Sequence, residues 1–214
     1  RDLMARTNGT DGTLTWTANT EADLDGYNVY RTLSGSKTRV NALPVKDAAY
    51  QDEGLSDGLY TYEITSVDTF GHESKPSGTA TAKVYAPVAE QPYTPVGTNT
   101  VEFCGSGAVA VSTVEVFVDT GSGPKIQGTA TSDASGKFSF HATLALGENR
   151  ITTIATDSTG NISRASDVIV VVYDDTPSAP TGLVASVNSY DVNLTWNQNT
   201  ESDLAGYNLF RDGE

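Results

Sequence analysis

Residues 11–31 read DGTLTWTANTEADLDGYNVYR, and residues 191–211 read DVNLTWNQNTESDLAGYNLFR. The match extends without gaps over residues 1–34 and 181–214, where roughly half of the aligned positions are identical. The second copy starts 180 residues after the first. A repeat at this distance predicts a tandem array whose period contains the repeated module and one module of a different kind.

Short runs of alternating apolar and polar residues surround the first copy. The clearest are LTW at 14–16, GYNVYR at 26–31 and LYTYEITSV at 59–67, and turn residues such as Asn8-Gly9 and Asp57-Gly58 lie between them. Such runs, recurring about every ten residues, are typical of a β-sandwich, and no stretch has a convincing helical period. The sequence therefore predicts an all-β fold of tandem sandwiches.

Four motifs of the first module occur in a recognisable order: LTW at 14–16, NTEADLDGYNVYR at 19–31, GLYTY at 58–62 and VDTFGHES at 67–74. They resemble strand B, the B–C loop with strand C, strand F, and the F–G turn of a bacterial fibronectin type III module. Residues 1–86 are thus similar to such a module. Motifs of this kind are specific for the fold and say almost nothing about a ligand.

The resemblance carries expectations about the core of this module. Alternation gives each strand one buried face, so we expect Trp16, Val29, Tyr62 and Ile64 to meet between the two sheets. Tyr60 follows the Asp57-Gly58 turn and resembles a tyrosine corner, in which the phenol hydroxyl bonds back to the turn.

Residues 87–175 resemble a bacterial Ig-like module. The run at 112–118 is interpreted as strand B, residues 128–140 as a hairpin, and residues 150–161 and 167–173 as the last two strands. The stretch APVAEQPYTP at 86–95 contains three prolines, which predicts an extended, fairly stiff linker.

Residues 176–214 repeat only strands A, B and C of the first module. Half a sandwich exposes half a core and unpaired strand edges. Two interpretations stay open. Either the sequence is a window on a longer chain, or a neighbouring chain supplies the missing strands.

Composition narrows the function classes. The 214 residues carry a formal net charge of −14 and contain one cysteine, Cys104. An acidic field repels phosphate, which argues against nucleic-acid binding and against anionic membrane surfaces, and no apolar run predicts membrane insertion. One cysteine cannot form an intrachain disulfide, and Cys104 is expected to be a small buried hydrophobe.

No motif of enzyme chemistry is recognisable. The two histidines, His72 and His141, fall in different modules and are not expected to share a site with a nucleophile. Neither a zinc pattern nor a phosphate-binding loop is present. The sequence therefore predicts no catalytic residue, no organic cofactor and no enzymatic activity.

Calcium is the one metal for which the sequence offers candidate ligands. Asp174 and Asp175 precede the second copy, and Glu201 and Asp203 lie in its B–C loop. In the fold that the resemblance implies, this loop faces the preceding module, so the four carboxylates are expected to meet and to hold Ca²⁺. The alternative is that such side chains cap their own loops.

Two functions follow from these observations. The first is a non-catalytic structural or adhesive repeat segment of a secreted or surface-exposed bacterial protein, such as a stalk or fibre, whose partners are other copies or neighbouring modules. The second is an accessory spacer or carbohydrate-binding region of a secreted polysaccharide-degrading enzyme, with a polysaccharide as partner. Tyr93 is the one obvious stray aromatic residue, and packing at the module junction is its alternative role.

Overall fold

The structure is a computed structural model that describes residues 2–211, and these residues form sixteen β-strands. No helix occurs in this range, so none of the described residues forms a helix long and apolar enough to cross a membrane. The predicted all-β fold is confirmed.

Seven strands build the first module: β1 (Met4–Asn8), β2 (Asp11–Thr15), β3 (Leu24–Leu33), β4 (Ser36–Arg39), β5 (Ala49–Asp52), β6 (Gly58–Asp68) and β7 (Ala80–Val84). They form one antiparallel sheet of order β1-β2-β5 and a second of order β4-β3-β6-β7. The two sheets enclose a single core, as expected of a sandwich.

The expected core residues of this module are all buried, namely Trp16, Val29, Tyr62 and Ile64. Trp16 also packs edge-to-face on Tyr27, with ring centroids 5.2 Å apart. Replacing a buried tryptophan by alanine typically costs about 3–5 kcal/mol, so Trp16 is a main source of stability here.

Seven further strands build the second module: β8 (Val88–Ala89), β9 (Thr100–Ser106), β10 (Thr113–Asp119), β11 (Lys125–Thr131), β12 (Phe138–Thr143), β13 (Gly147–Thr156) and β14 (Ile169–Tyr173). Their sheets have the orders β12-β9-β8 and β11-β10-β13-β14. Counted within each module, the first, second and fifth strands form one sheet and the other four form the second. The two modules therefore share one strand order.

Two strand interpretations in this module were wrong. The run at 112–118 is the third strand, β10, because β9 precedes it. The chain does turn at residues 133–136, but β11 pairs with β10 while β12 pairs with β9, so residues 128–140 are no hairpin. A turn motif shows that the chain reverses, and it does not show which sheet the next strand joins.

The predicted linker is also wrong, because residues 88–96 are part of the second sandwich. Strand β8 pairs with β9, and the side chain of Gln91 bonds to both main-chain groups of Val170. The main-chain amide of Val96 then donates to Val172 at 2.9 Å. Proline is tolerated on such an edge strand, so the prolines of this stretch do not exclude pairing.

The chain passes between the two cores without a free segment. Val84 is buried in the first core, and the next residue, Tyr85, is buried in the second. That residues 1–86, 87–175 and 176–214 are the folding units stays a prediction.

The second copy forms a hairpin of β15 (Thr181–Asn188) and β16 (Asp191–Asn197), while residues 205–211 form no strand, contrary to expectation. Its loop nevertheless reproduces the first copy. Trp196 and Tyr207 pack edge-to-face at 5.1 Å, and the amide of Asn199 donates to the Tyr207 hydroxyl at 2.7 Å. The repeated sequence therefore fixes the B–C loop locally.

Candidate functional site at the junction of the first two modules

The histidines lie apart in the fold. His72 is exposed in the turn after β6, where its Nδ1 is 2.9 Å from a carboxylate oxygen of Asp68. Hydrogen bonds, above all from the main-chain amide of His72, hold the pKa of Asp68 below its ordinary value. His141 lies on β12, opposite Glu102 of β9. Each histidine thus belongs to the surface of its own module.

The four predicted calcium ligands lie around one hollow, together with Leu146 and Tyr173. Asp174 contacts Asp203, and this carboxyl pair raises the pKa of Asp174. Glu201 instead accepts the main-chain amide of Ser178 at 2.8 Å, which lowers its pKa to about 2.

Within residues 2–211 no three or more His, Cys, Asp or Glu side chains converge as metal ligands do. The structure thus brings Asp174 and Asp203 together and turns Glu201 toward Ser178 in the lead-in to β15. The calcium site at Asp174, Asp175, Glu201 and Asp203 stays a prediction.

Contacts between modules are concentrated at the first junction, where main-chain groups of β1 meet the segment after β13. Strand β1 is an edge of its sheet, and its free edge offers the amide and carbonyl of Thr7. The Thr7 carbonyl accepts the Ile162 amide at 2.9 Å, and the Thr7 amide donates to Asn161 Oδ1 at 3.0 Å. The Gly9 amide donates to the Ile162 carbonyl at 3.1 Å. The second module thus adds a one-residue parallel bridge to the first.

An ion pair lies beside this bridge. Arg164 donates from Nε and Nη2 to the two carboxylate oxygens of Asp57, at 2.8 and 2.7 Å. This bidentate arrangement fixes orientation as well as distance, and the guanidinium lowers the pKa of Asp57. Because both side chains are more than a third exposed, solvent and salt weaken the pair.

The segment of residues 157–162, which docks on the first module, is held in shape by hydrogen bonds of its own. Although burial raises the pKa of Asp157, hydrogen bonds to its carboxylate from Asn161 and Thr159 leave that pKa below the ordinary value. The amides of Thr159 and Asn161 both donate to Asp157 Oδ1, and Asn161 Nδ2 donates to Oδ2 at 2.7 Å. Gly160 turns the chain at φ +86°. Asn161 is therefore oriented within its own loop.

The segment that docks has an equivalent in the first module, and this repeat was missed in the sequence. Residues 68–77 read DTFGHESKPS and residues 157–166 read DSTGNISRAS, so Asp, Gly and two serines recur at one spacing. In each module the two serine hydroxyls accept main-chain amides of the neighbouring strand, from Ile64 and Ser66 in the first and from Thr153 and Ala155 in the second. The segment that leads into the edge strand, β7 or β14, is thus tied to its neighbour, β6 or β13, where regular pairing stops.

The two modules are also equivalent at the turn before their sixth strand, where one side chain of that strand bonds back to the turn. The Tyr60 hydroxyl donates to the Ser56 carbonyl at 2.8 Å, so the expected tyrosine corner is confirmed. The equivalent residue of the second module, Asn149, is fully buried. Its Nδ2 donates to the Ala145 carbonyl at 2.8 Å, and its Oδ1 accepts the Ala145 amide at 2.9 Å. An asparagine therefore ties the same turn.

Two further expectations concern single side chains. Cys104 is exposed, contrary to prediction, because Phe103 and Gly105 are the residues of β9 that face the core. Tyr93 is 88% exposed, so packing against the neighbouring module does not cover it.

The known proteins that resemble this chain are solved structures. A fibronectin type III-like protein from Clostridium thermocellum is 28% identical over 38% of this chain and 86% of that one, with a TM-score of 0.33. A two-module fibronectin type III segment of chicken tenascin is 19% identical over 79% and 95%, with a TM-score of 0.37. A four-repeat segment from the extending region of a large adhesion protein is 21% identical over 88% and 52%, with a TM-score of 0.34.

No family model matches the sequence, and a comparison with curated proteins finds no significant match. The structural neighbours are fibronectin type III modules, bacterial ones included, as the sequence predicted. The Ig-like nature of residues 87–175 stays a prediction.

Proposed function

We propose that the chain is a stiff, non-catalytic structural repeat segment of a secreted or surface-exposed bacterial protein. The docked junction of the first two modules carries this proposal. A spacer needs modules that keep a fixed mutual orientation, and flexible linkers do not provide one.

Two kinds of contact at this junction restrict different motions. The main-chain bonds of Thr7 and Gly9 to the 161–162 segment fix distance along the β1 edge. The bidentate pair of Arg164 and Asp57 beside these bonds joins the two modules at a second point and so opposes rotation. Thr7 is only 2% exposed, so water does not compete readily for its main-chain bonds.

Stiffness can be measured through a distance between the modules. Cys104 of the second module is an exposed natural labelling position, and Ser36→Cys adds a second one on β4. Double electron–electron resonance between spin labels at these positions is expected to give one narrow distance distribution. The double variant Asn161→Ala/Arg164→Ala should broaden it.

Lys46→Ala is the matched control, because it removes an exposed ion pair with Asp25 inside the first module. This variant should leave the distribution narrow. A distribution in the parent chain as broad as in the double variant would contradict a stiff spacer.

The alternative function is an accessory or carbohydrate-binding region of a polysaccharide-degrading enzyme. It requires binding to a polysaccharide, which can be tested separately. Carbohydrate binding usually uses aromatic rings on one flat face, and the most exposed rings, those of Phe70, Tyr93 and Tyr190, lie on different modules. We therefore expect no retention on insoluble polysaccharides. Retention that Tyr93→Ala abolishes would favour the alternative.

A further inference from the structure

We infer that Asn8-Gly9 is a site of spontaneous deamidation whose rate is controlled by docking of the second module. Asparagine is chemically labile, most of all before glycine. The main-chain nitrogen of the following residue loses its proton and attacks the side-chain Cγ. A C–N bond forms, ammonia leaves, and water opens the resulting succinimide to aspartate or isoaspartate.

The local geometry exposes this pair. Asn8 is the last residue of β1, opposite Asp11, and its side chain is exposed. Gly9 begins the two-residue turn at φ +64°. The first central residue of such a turn takes no part in the hairpin's own pairing, so its amide is left to solvent or to another partner.

Docking supplies that partner. The Gly9 amide donates to the Ile162 carbonyl, and Thr7 on the other side of Asn8 is held by Ile162 and Asn161. The hydrogen bond opposes removal of the proton from the attacking nitrogen. The bonds on both sides also oppose the main-chain rotation that would bring this nitrogen to Cγ. The reaction must therefore wait for the junction to open.

The product acts back on the junction. Isoaspartate inserts a methylene group into the main chain between Thr7 and Gly9, whose main-chain groups pair with the second module. The register of these bonds is then lost, and the change is covalent. Each opening event therefore has a chance of becoming permanent, and the modified residue records that the junction opened.

The second copy provides an undocked equivalent in the same molecule. Asn188 also pairs with an aspartate, Asp191, and Ser189 begins its turn at φ +58°. Within residues 2–211 no carbonyl of another module accepts the Ser189 amide. The substitution Ser189→Gly then makes the reacting pair chemically identical, and it suits a backbone conformation that favours glycine.

The experiment incubates the full Ser189→Gly chain in mildly alkaline buffer and follows both asparagines by peptide mapping that separates aspartate from isoaspartate. Asn8 is expected to react at least about fivefold more slowly than Asn188, as protection by a closed contact implies. In the triple variant that adds Asn161→Ala and Arg164→Ala, the rate at Asn8 should rise toward that at Asn188, which itself stays constant. Equal rates in the Ser189→Gly chain, or an unchanged rate at Asn8 in the triple variant, would overturn the inference.

Discussion

Replacing Asn149 by alanine tests whether one buried amide ties the turn of the second module. Its Nδ2 donates to the carbonyls of Ala145 and Gly147 at 2.8 and 2.9 Å, and its Oδ1 accepts the Ala145 amide at 2.9 Å. A net gain of about 1 kcal/mol per hydrogen bond gives about 3 kcal/mol for the three. Because Ala145 is exposed and water can replace part of this, we expect a loss of about 2–3 kcal/mol.

Tyr60→Phe is the matched comparison, since it removes the single bond to Ser56 and keeps the buried ring. It should cost about 1 kcal/mol, and in the first module only. Trp16 lies in the first module and Trp196 in the second copy, so fluorescence does not follow residues 87–175, whereas calorimetry follows both modules. Asn149→Ala should move a calorimetric transition that fluorescence does not report. A loss no larger than that of Tyr60→Phe would refute the reasoning from three bonds.

Two other predictions concern charge. Because Arg164 lowers the pKa of Asp57, the pair stabilises the junction above the ordinary aspartate pKa, and this stabilisation is lost as pH falls through the lowered value. The distance distribution between the spin labels should therefore broaden in acid and in high salt. An unchanged distribution would show that the main-chain bonds alone keep the junction stiff. If Asp174, Asp175, Glu201 and Asp203 bind calcium, calorimetric titration with millimolar calcium should release or absorb heat in the parent chain and none in Asp203→Asn, and a parent chain without heat contradicts the site.

The sequence predicted what depends on local pattern and missed what depends on strand choice. Alternation placed Trp16 and Tyr62 in the core, and the turn before Tyr60 indicated its corner, because each inference needs only a few neighbouring residues. Strand β10 was misassigned as strand B because β9 precedes it, and β11 and β12 were misassigned as one hairpin because a turn does not specify the next sheet. The prolines of residues 86–95 were interpreted as a spacer although an edge strand accepts them.

The junction was missed for a different physical reason. Its main contacts use the amide and carbonyl of Thr7, groups that every residue except proline carries, so no side-chain pattern marks them. The repeated segment, residues 68–77 and 157–166, does differ between the modules at the position that docks. Glu73 of the first module bonds through its carboxylate to Tyr30 and Thr65, whereas its equivalent, Ile162, carries no polar side chain. Both residues bridge to the preceding strand, at Val67 and Thr156. Each segment is thus anchored within its own module.

Residues 11–31 and their copy, residues 191–211, distinguish the structure that local contacts produce from the burial that distant strands produce. The ring pair and the loop bond are the same in both, with 5.2 and 5.1 Å between rings and 2.7 Å for each bond. Burial is not the same, because Leu14 is fully buried and its equivalent, Leu194, is 39% exposed. The repeated residues therefore determine the shape of the B–C loop by themselves. The free energy of the sandwich comes instead from the strands that cover Leu14 and Trp16, which the repeat does not encode.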